Sequence, residues 1–302
     1  MLDGISLDQL RTFVAAVDEG SFSAAARRLG RAQSAASELV RGLELQLGVT
    51  LFDRSGRYPL LTPAGSALLV SARKAVSIVD AMKSRAKGMA AGMEPELAVV
   101  VDVFFPIDAL AGVAKEFRQQ FPAVPLHVYV EALGATFQPV LDRRATVGIV
   151  GFLPLTPPGI ITEPLVNIPF AMVAAAEHPL AAYPGPIPQS ELAKHVQLVL
   201  TDRSEHSKGR DFGVMSPDTW KLADLFAKRA FLLNGLGWGG MPLHAVQADL
   251  DSGRLVRLSI EEEPQGGVSM LMSAVYRVDN PPGPAGRWLI DRIQACSSHR
   301  QL

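Results

Sequence analysis

Apolar positions recur at helical spacing through the first ninety residues and at strand spacing after them. Ser6, followed three residues later by Gln9, marks a capping box, and Leu7, Leu10, Phe13, Val14 and Val17 form the apolar stripe of a first helix closed by Gly20. A short second helix is expected over Ser23–Leu29, ended by Gly30, and a third over Gln33–Leu47, ended by Gly48. On the third, Ala36, Val40, Leu43 and Leu47 share one face, and Gln33, Ser34, Ser37, Glu38 and Arg41 share the other. "VTLFDRSGRYPLLT" reads as two short extended pieces around Ser55-Gly56, a hairpin or wing. Thr62 then caps a helix with Pro63 at its first position, continuing to about Lys87. Its Leu68, Leu69, Ala72, Val76, Val79 and Met82 repeat at coiled-coil-like spacing. "GMAAGMEPE" reads as a hinge.

From Leu97 the rhythm changes. "LAVVV", a helix from Ile107 to Phe121, "LHVYVE", a helix over Phe137–Arg143 and "VGIVG" alternate as in an α/β unit with a mostly parallel sheet. A second set follows in "FAMVAAA", "HVQLVLT", "TWKLA", Asp224–Leu233 and "GWGGMP", and "VSMLMSAVYR" and Arg287–Ala295 close the chain.

A chain of 302 residues exceeds one ordinary core and predicts two or three domains. The net charge of −1 hides a division: up to Met89 there are twelve Lys and Arg against eight Asp and Glu, a balance of +4, and the remainder has 17 against 22, a balance of −5. A basic N-terminal module on an acidic body points to a polyanionic partner for the first part. The one cysteine, Cys296, excludes an internal disulfide framework and lies in the last helix as a structural thiol. The start "MLDGISLDQL" lacks the pattern of a signal peptide, and no apolar run is long enough to span a membrane, so a cytoplasmic protein is expected.

The chemistry of the first part follows from its small residues. Ala24, Ala25, Ala26 and Ala36 allow close approach of two helices joined by a tight turn, a helix-turn-helix. The outer face of the third helix then meets base edges in a major groove. Arg41 suits guanine, Gln33 suits adenine, and Ser34 and Ser37 suit phosphate or base. A helical hairpin with a solvated face is the alternative reading of the spacing. The stretch from Leu10 to Gly65, "LRTFVAAVDEGSFSAAARRLGRAQSAASELVRGLELQLGVTLFDRSGRYPLLTPAG", resembles the DNA-binding segment of LysR-type transcriptional regulators. Further on, "FPAVPLHVYVE", "EHPLA", "NGLGWGGMP" and "DLDSGRLVRL" resemble, more weakly, landmarks of that family's effector domain.

The resemblance implies a winged helix-turn-helix at 1–62, a linker helix and hinge at 63–93 that pairs two subunits, and an effector-binding domain at 94–302. That last domain has the two-lobed α/β architecture of type 2 periplasmic binding proteins, lobe 1 from 94–162 with 268–302 and lobe 2 from 163–267. The implied partners are double-stranded operator DNA, a small-molecule effector, copies of the same chain in a homodimer or homotetramer, and RNA polymerase, with no cofactor, metal or membrane. Arg31, Gln33, Ser34, Ser37, Glu38, Arg41, Arg54 and Arg57 are the expected DNA-binding residues. Two departures from the family pattern bear on the operator sequence: Ala32 stands where a Ser or Thr usually caps the recognition helix, and Glu38 where a neutral or basic side chain is common.

For the effector, "LAVVV" ends at Asp102, where the family often has a serine or threonine facing the cleft. Asp102 at that point favours a cationic or donor-rich ligand; the alternative is a helix cap or an ion pair. Phe104, Thr136, Thr201, Asp202, Trp220 and Trp238 complete the expected effector set, with plain core as the alternative for Trp238. Gly235, Gly237 and Gly240 satisfy G-x-G-x-x-G, but a helix precedes them and Met241-Pro242 follows, which reads as a turn from helix to strand and not a dinucleotide fingerprint. The six histidines lack metal-ligand spacing. Asp202, Ser204 and His206 lack the nucleophile turn and oxyanion donors of a triad. A solute-binding protein and an α/β enzyme remain the rival readings.

Overall fold

The computed structural model describes residues 4–56, 59–151, 156–202, 204, 213–262, 264 and 267–299. The chain divides into two compact units, Met1–Ala90 and Ala91–Leu302.

The first unit holds α1 (Leu7–Asp18), α2 (Phe22–Arg28), α3 (Gln33–Leu47), the two-stranded ribbon of β1 (Phe52–Asp53) and β2 (Leu60–Leu61), and α4 (Pro63–Ala90). The capping box forms as expected: the Gln9 backbone N–H donates to the Ser6 hydroxyl, and the Ser6 N–H donates to Gln9 Oε1 at 2.7 Å. Ala25 and Ala36 are fully buried, so α2 and α3 touch nearly backbone to backbone. Phe13, Val40, Leu43, Leu51 and Phe52 fill the core, with Phe52 edge-on to both Phe13 and Phe22. Gly65 is a requirement of this packing: a Cβ there would lie 2.1 Å from the Leu51 carbonyl oxygen, so only glycine lets α4 start against the ribbon.

The second unit is built on one nine-stranded sheet. Its first half comprises β3 (Leu97–Asp102), α5 (Ile107–Gln120), β4 (Leu126–Glu131), a 3-10 turn at Leu133–Thr136, α6 (Gln138–Leu141) and β5 (Val147–Gly151). Then come β6 (Ile160–Ala175), α7 (Gln189–Leu192), β7 (Gln197–Leu200), β8 (Thr219–Leu222), α8 (Leu225–Leu233), β9 (Trp238–Pro242), α9 (Leu243–Asp251), β10 (Leu255–Arg257), β11 (Val268–Arg277) and α10 (Pro284–His299). The strand order is β4-β3-β5-β11-β6-β9-β7-β8, with β10 also on β6. β3 pairs parallel with β4 and β5, and β7 pairs parallel with β8 and β9, giving two α/β halves. The long antiparallel pair β6 and β11 joins them.

The halves exchange within β6. Its residues up to Phe170 pair with β11, and from Phe170 it pairs with β9. "FAMVAAA" is therefore only the second part of a 16-residue strand. A register shift opposite Met272/Ser273 leaves Leu165 as an extra residue after Pro164, the kind of bulge that accommodates a proline in a ladder. The predicted helix over Phe137–Arg143 is a single turn of α-helix, Gln138–Leu141, preceded by the 3-10 turn at Leu133–Thr136. Two N–H groups at the start of α10, those of Ala285 and Gly286, donate to the Glu94 carboxylate at 3.0 and 2.8 Å. Among the described residues no helix is long and apolar enough to cross a membrane.

Candidate functional site

In the first unit the polar face of α3 is open. Gln33, Ser34, Glu38 and Arg41 are exposed and Ser37 is half-buried, because Ala36, Val40 and Leu43 hold the opposite face in the core. Ala32 occupies the N-cap and makes no side-chain capping bond. The first-turn N–H groups of α3 are thus left without a side-chain acceptor, a feature suited to an approaching phosphate. Among the described residues Arg41 has no ion-pair partner.

Two other arginines are tethered. Arg31 pairs with Asp8 at 2.7 Å and holds the Asp8 carboxyl below its ordinary value. Arg54 donates to Glu44 at 2.9 Å, and its guanidinium lies 5.1 Å from the centroid of the Phe22 ring. Glu44 also accepts the N–H groups of Leu51 and Phe52, so this one carboxylate fixes the ribbon against α3. Arg57 lies outside the described residues. Glu44 went unread in the sequence; its signal was an acid on the helix four residues before a helix-ending glycine, ahead of a basic ribbon.

On α4, the structure shifts the exposed stripe from the one expected. Val76 and Val79 are half-buried on the side that carries buried Ala72, whereas Val70 is 57% and Ile78 69% exposed, and Met82 is exposed with them. The cause is α1. Arg11 pairs with Asp80, and Arg73 pairs with Asp18 at 2.5 Å, which turns the Val76–Val79 side of α4 inward.

Two cavities open between the halves of the second unit. The larger, about 1190 Å³, runs between β3, the start of α5 and the N-terminal ends of α8 and α9, with Asp102, Asp202, Arg229 and His244 in its wall. The smaller, about 440 Å³, lies where β6 and β11 cross between the halves. Phe104 and Leu133 close it from one side, and Leu198, Leu200, Lys228 and Gly240 from the other. Phe104 is set edge-on to Phe170, with ring centroids 5.0 Å apart.

Of the predicted effector residues, Phe104 lines the smaller cavity, and Asp102 and Asp202 reach the larger. Asp102 is not a free ligand group, however. It is 1% exposed, its Oδ1 accepts the Phe104 N–H at 2.9 Å, and its Oδ2 accepts the Leu133 N–H at 3.2 Å. Burial raises its pKa to about 7, against backbone hydrogen bonds that lower it. Its oxygens tie the end of β3 to the 3-10 turn; α5 starts from Pro106 with no side-chain cap, so among the described residues Asp102 forms neither the expected helix cap nor an ion pair. Asp202 plays a parallel part from the other half, accepting the Ala135 N–H at 2.9 Å and the Ser204 N–H and hydroxyl at 3.2 Å. His206 lies outside the described residues.

Thr136, Thr201, Trp220 and Trp238 line neither cavity. Thr136 is fully buried and spends its hydroxyl on the Leu133 carbonyl at 2.6 Å. Thr201 is half-buried, its hydroxyl 3.4 Å from the Asp202 carbonyl. Trp220 sits on edge strand β8, 44% exposed and edge-on to Phe231. Trp238 is core: it packs with Leu180, Ile187 and Leu192, and among the described residues its indole Nε1–H has no partner. The glycines before and after it serve strand packing, since a Cβ on Gly237 would lie 2.4 Å from the Val196 carbonyl oxygen. The G-x-G-x-x-G run therefore leaves α8 and enters β9, with no phosphate cradle.

Lys228, which the sequence reading passed over, faces the smaller cavity. It is 4% exposed and donates to the Gly240 carbonyl at 2.7 Å. Its signal was its place in "LFAKRAFLL", on the same face as Leu225 and Leu232.

The family model described as "LysR substrate binding domain" matches residues 90–297, and "Bacterial regulatory helix-turn-helix protein, lysR family" matches residues 7–66. The chain is 29% identical over 298 residues to the probable HTH-type transcriptional regulator YhaJ of Escherichia coli, covering 96% of each chain. It is 28% identical over 239 residues to the HTH-type transcriptional activator AllS of Klebsiella pneumoniae, covering 78% of this chain and 88% of that one. In fold it resembles a Corynebacterium glutamicum OxyR C206 mutant, with a TM-score of 0.58, 24% identity and coverage of 98% and 94%.

Proposed function

The chain belongs to the LysR family of transcriptional regulators, and from that premise we propose how its parts divide the work. The exposed face of α3 reads operator DNA. Arg41 and Gln33 address base edges, Ser34, Ser37 and Glu38 flank them, and Arg31, Arg54 and Arg57 meet phosphates. Glu38 repels phosphate and accepts from a cytosine amino group, so it restricts the sequence read. The exposed stripe of α4 at Val70, Ile78 and Met82 pairs with its copy in a homodimer, the unit from which a tetramer is built. A small molecule bound between the halves of the second unit biases how the paired subunits present α3. The protein acts in the cytoplasm, on DNA and on RNA polymerase at the promoter, and catalyses no reaction of its own.

The observation that carries this reading is the open polar face of α3, with Arg41 exposed on it and without an ion-pair partner among the described residues. The test is fluorescence anisotropy of the full chain on fragments from upstream of its own gene, with shuffled sequence as control. Preference for one fragment, lost on Arg41→Ala, is the expected result. Equal affinity for all fragments would reject sequence-specific control.

A further inference from the structure

The smaller cavity has a feature that ordinary packing does not explain. α8 turns Leu225, Lys228 and Leu232 to one buried face, and a lysine takes a position where its neighbours are apolar. Burying an ammonium without a counter-ion is costly, and such groups are retained where something compensates them. Here compensation is incomplete. One of three N–H donors is used, by the Gly240 carbonyl, and among the described residues no carboxylate lies within ion-pair distance of Nζ. Desolvation alone lowers its pKa, to about 8, so at neutral pH the group remains mostly charged. The two spare donors belong to a residue that lines the cavity.

The rest of the lining fits an apolar body. Phe104, Phe170, Met172 and Met270 form its walls. Gln197, the other large polar group at depth, is neutral and held in place: one Nε2 N–H donates to the Gly213 carbonyl and its Oε1 accepts the N–H groups of Met215 and Ser216. It leaves Lys228 as the group that selects charge.

We propose that the effector of this regulator is a small monocarboxylate with an apolar or aromatic body, its carboxylate paired with the Lys228 ammonium at the floor of the smaller cavity. This rests on the reading that the protein is effector-controlled and names the class of effector. It replaces the cationic or donor-rich ligand expected from Asp102, whose oxygens accept from backbone N–H groups.

The test uses the full chain with benzoate and hexanoate as probes, against benzamide and hexanamide, which match them in shape without the charge. Titration calorimetry should find both acids binding about tenfold or more tighter than their amides. At a pH just above 8, acid binding should be accompanied by proton uptake, because a carboxylate beside Lys228 raises its pKa. Lys228→Met, similar in volume and apolar, should bind acid and amide alike with no proton uptake. Amides binding as tightly as acids, a charge preference that survives in Lys228→Met, or no binding of either acid at millimolar concentration would each overturn the proposal. Operator binding by the unliganded wild-type chain is measured separately, so failure of the effector class is distinguished from failure of the regulatory reading.

Discussion

Single residues in this protein divide into those that are spent and those that are not. Arg41 is unspent, and Arg41→Ala should cost about 1–3 kcal/mol at the preferred operator with little effect on random DNA, checked by anisotropy on both. Arg54 is spent on Glu44 and on the Phe22 ring. Arg54→Ala should therefore lower the melting temperature of the chain and weaken all DNA sequences alike. Arg54→Lys, which keeps the charge and loses the planar stack, should recover affinity more than stability. Asp102 gives a pH signature. Its folded pKa, about 7, lies above the ordinary carboxylate value, so its contribution to stability is complete below the unfolded pKa and is lost as pH rises through about 7. Thermal unfolding from pH 5 to 8 should show that loss, and Asp102→Asn, which cannot ionise, should flatten it. An unchanged pH profile in the variant would assign the slope to another group. Lysine and tryptophan show the limit of reading at this scale. Lys228 stayed unread, because composition gives no sign of which helix face is inward. Trp238 looked like a cleft residue because its glycine neighbours suggested a turn, and only strand pairing shows that they bring β9 against β7.

At the scale of elements, α4 is the informative case. Its spacing predicted a pairing helix, and its length and start agree with that, but the periodicity admits two stripes. The one with Val76 and Val79 is partly taken by α1, through Asp80 and Arg73. The other, with Val70 and Ile78, is left in water. Val70→Asp with Ile78→Asp should give monomers by sedimentation and poor operator affinity, because two recognition helices are then no longer held about 34 Å apart. Val76→Asp should instead destabilise the first unit itself. Oligomers that persist in the Val70/Ile78 double variant would place the pairing surface elsewhere. The three N-terminal helices were legible almost to the residue, since each is closed by its own glycine and the first and third carry a clear apolar stripe. β6 was half-legible. Pro164, Pro169 and the polar Thr162, Glu163 and Asn167 break the alternation that marks a strand. The bulge that tolerates this sequence is set by β11, about a hundred residues away in the chain.

For the molecule as a whole, the two units differ in how far their contacts reach along the chain. The helical unit is assembled from segments that follow one another directly. The sheet is not: β11 lies in its middle, flanked by β5 and β6, and α10 is received by Glu94 at the opposite end of the unit. During synthesis the DNA-binding unit is thus complete well before the sheet can close, and until β11 emerges β5 and β6 each present an unpaired edge. A chain stopped after Gly267 should retain the helical signal of the first unit in circular dichroism yet precipitate or be cut by protease beyond Ala91. A soluble, protease-resistant product would mean that the halves close without their central strand. The order has a consequence for the cell: a nascent regulator able to grip DNA exists, for the seconds it takes to translate the last strand and helix, before it is able to answer to any metabolite.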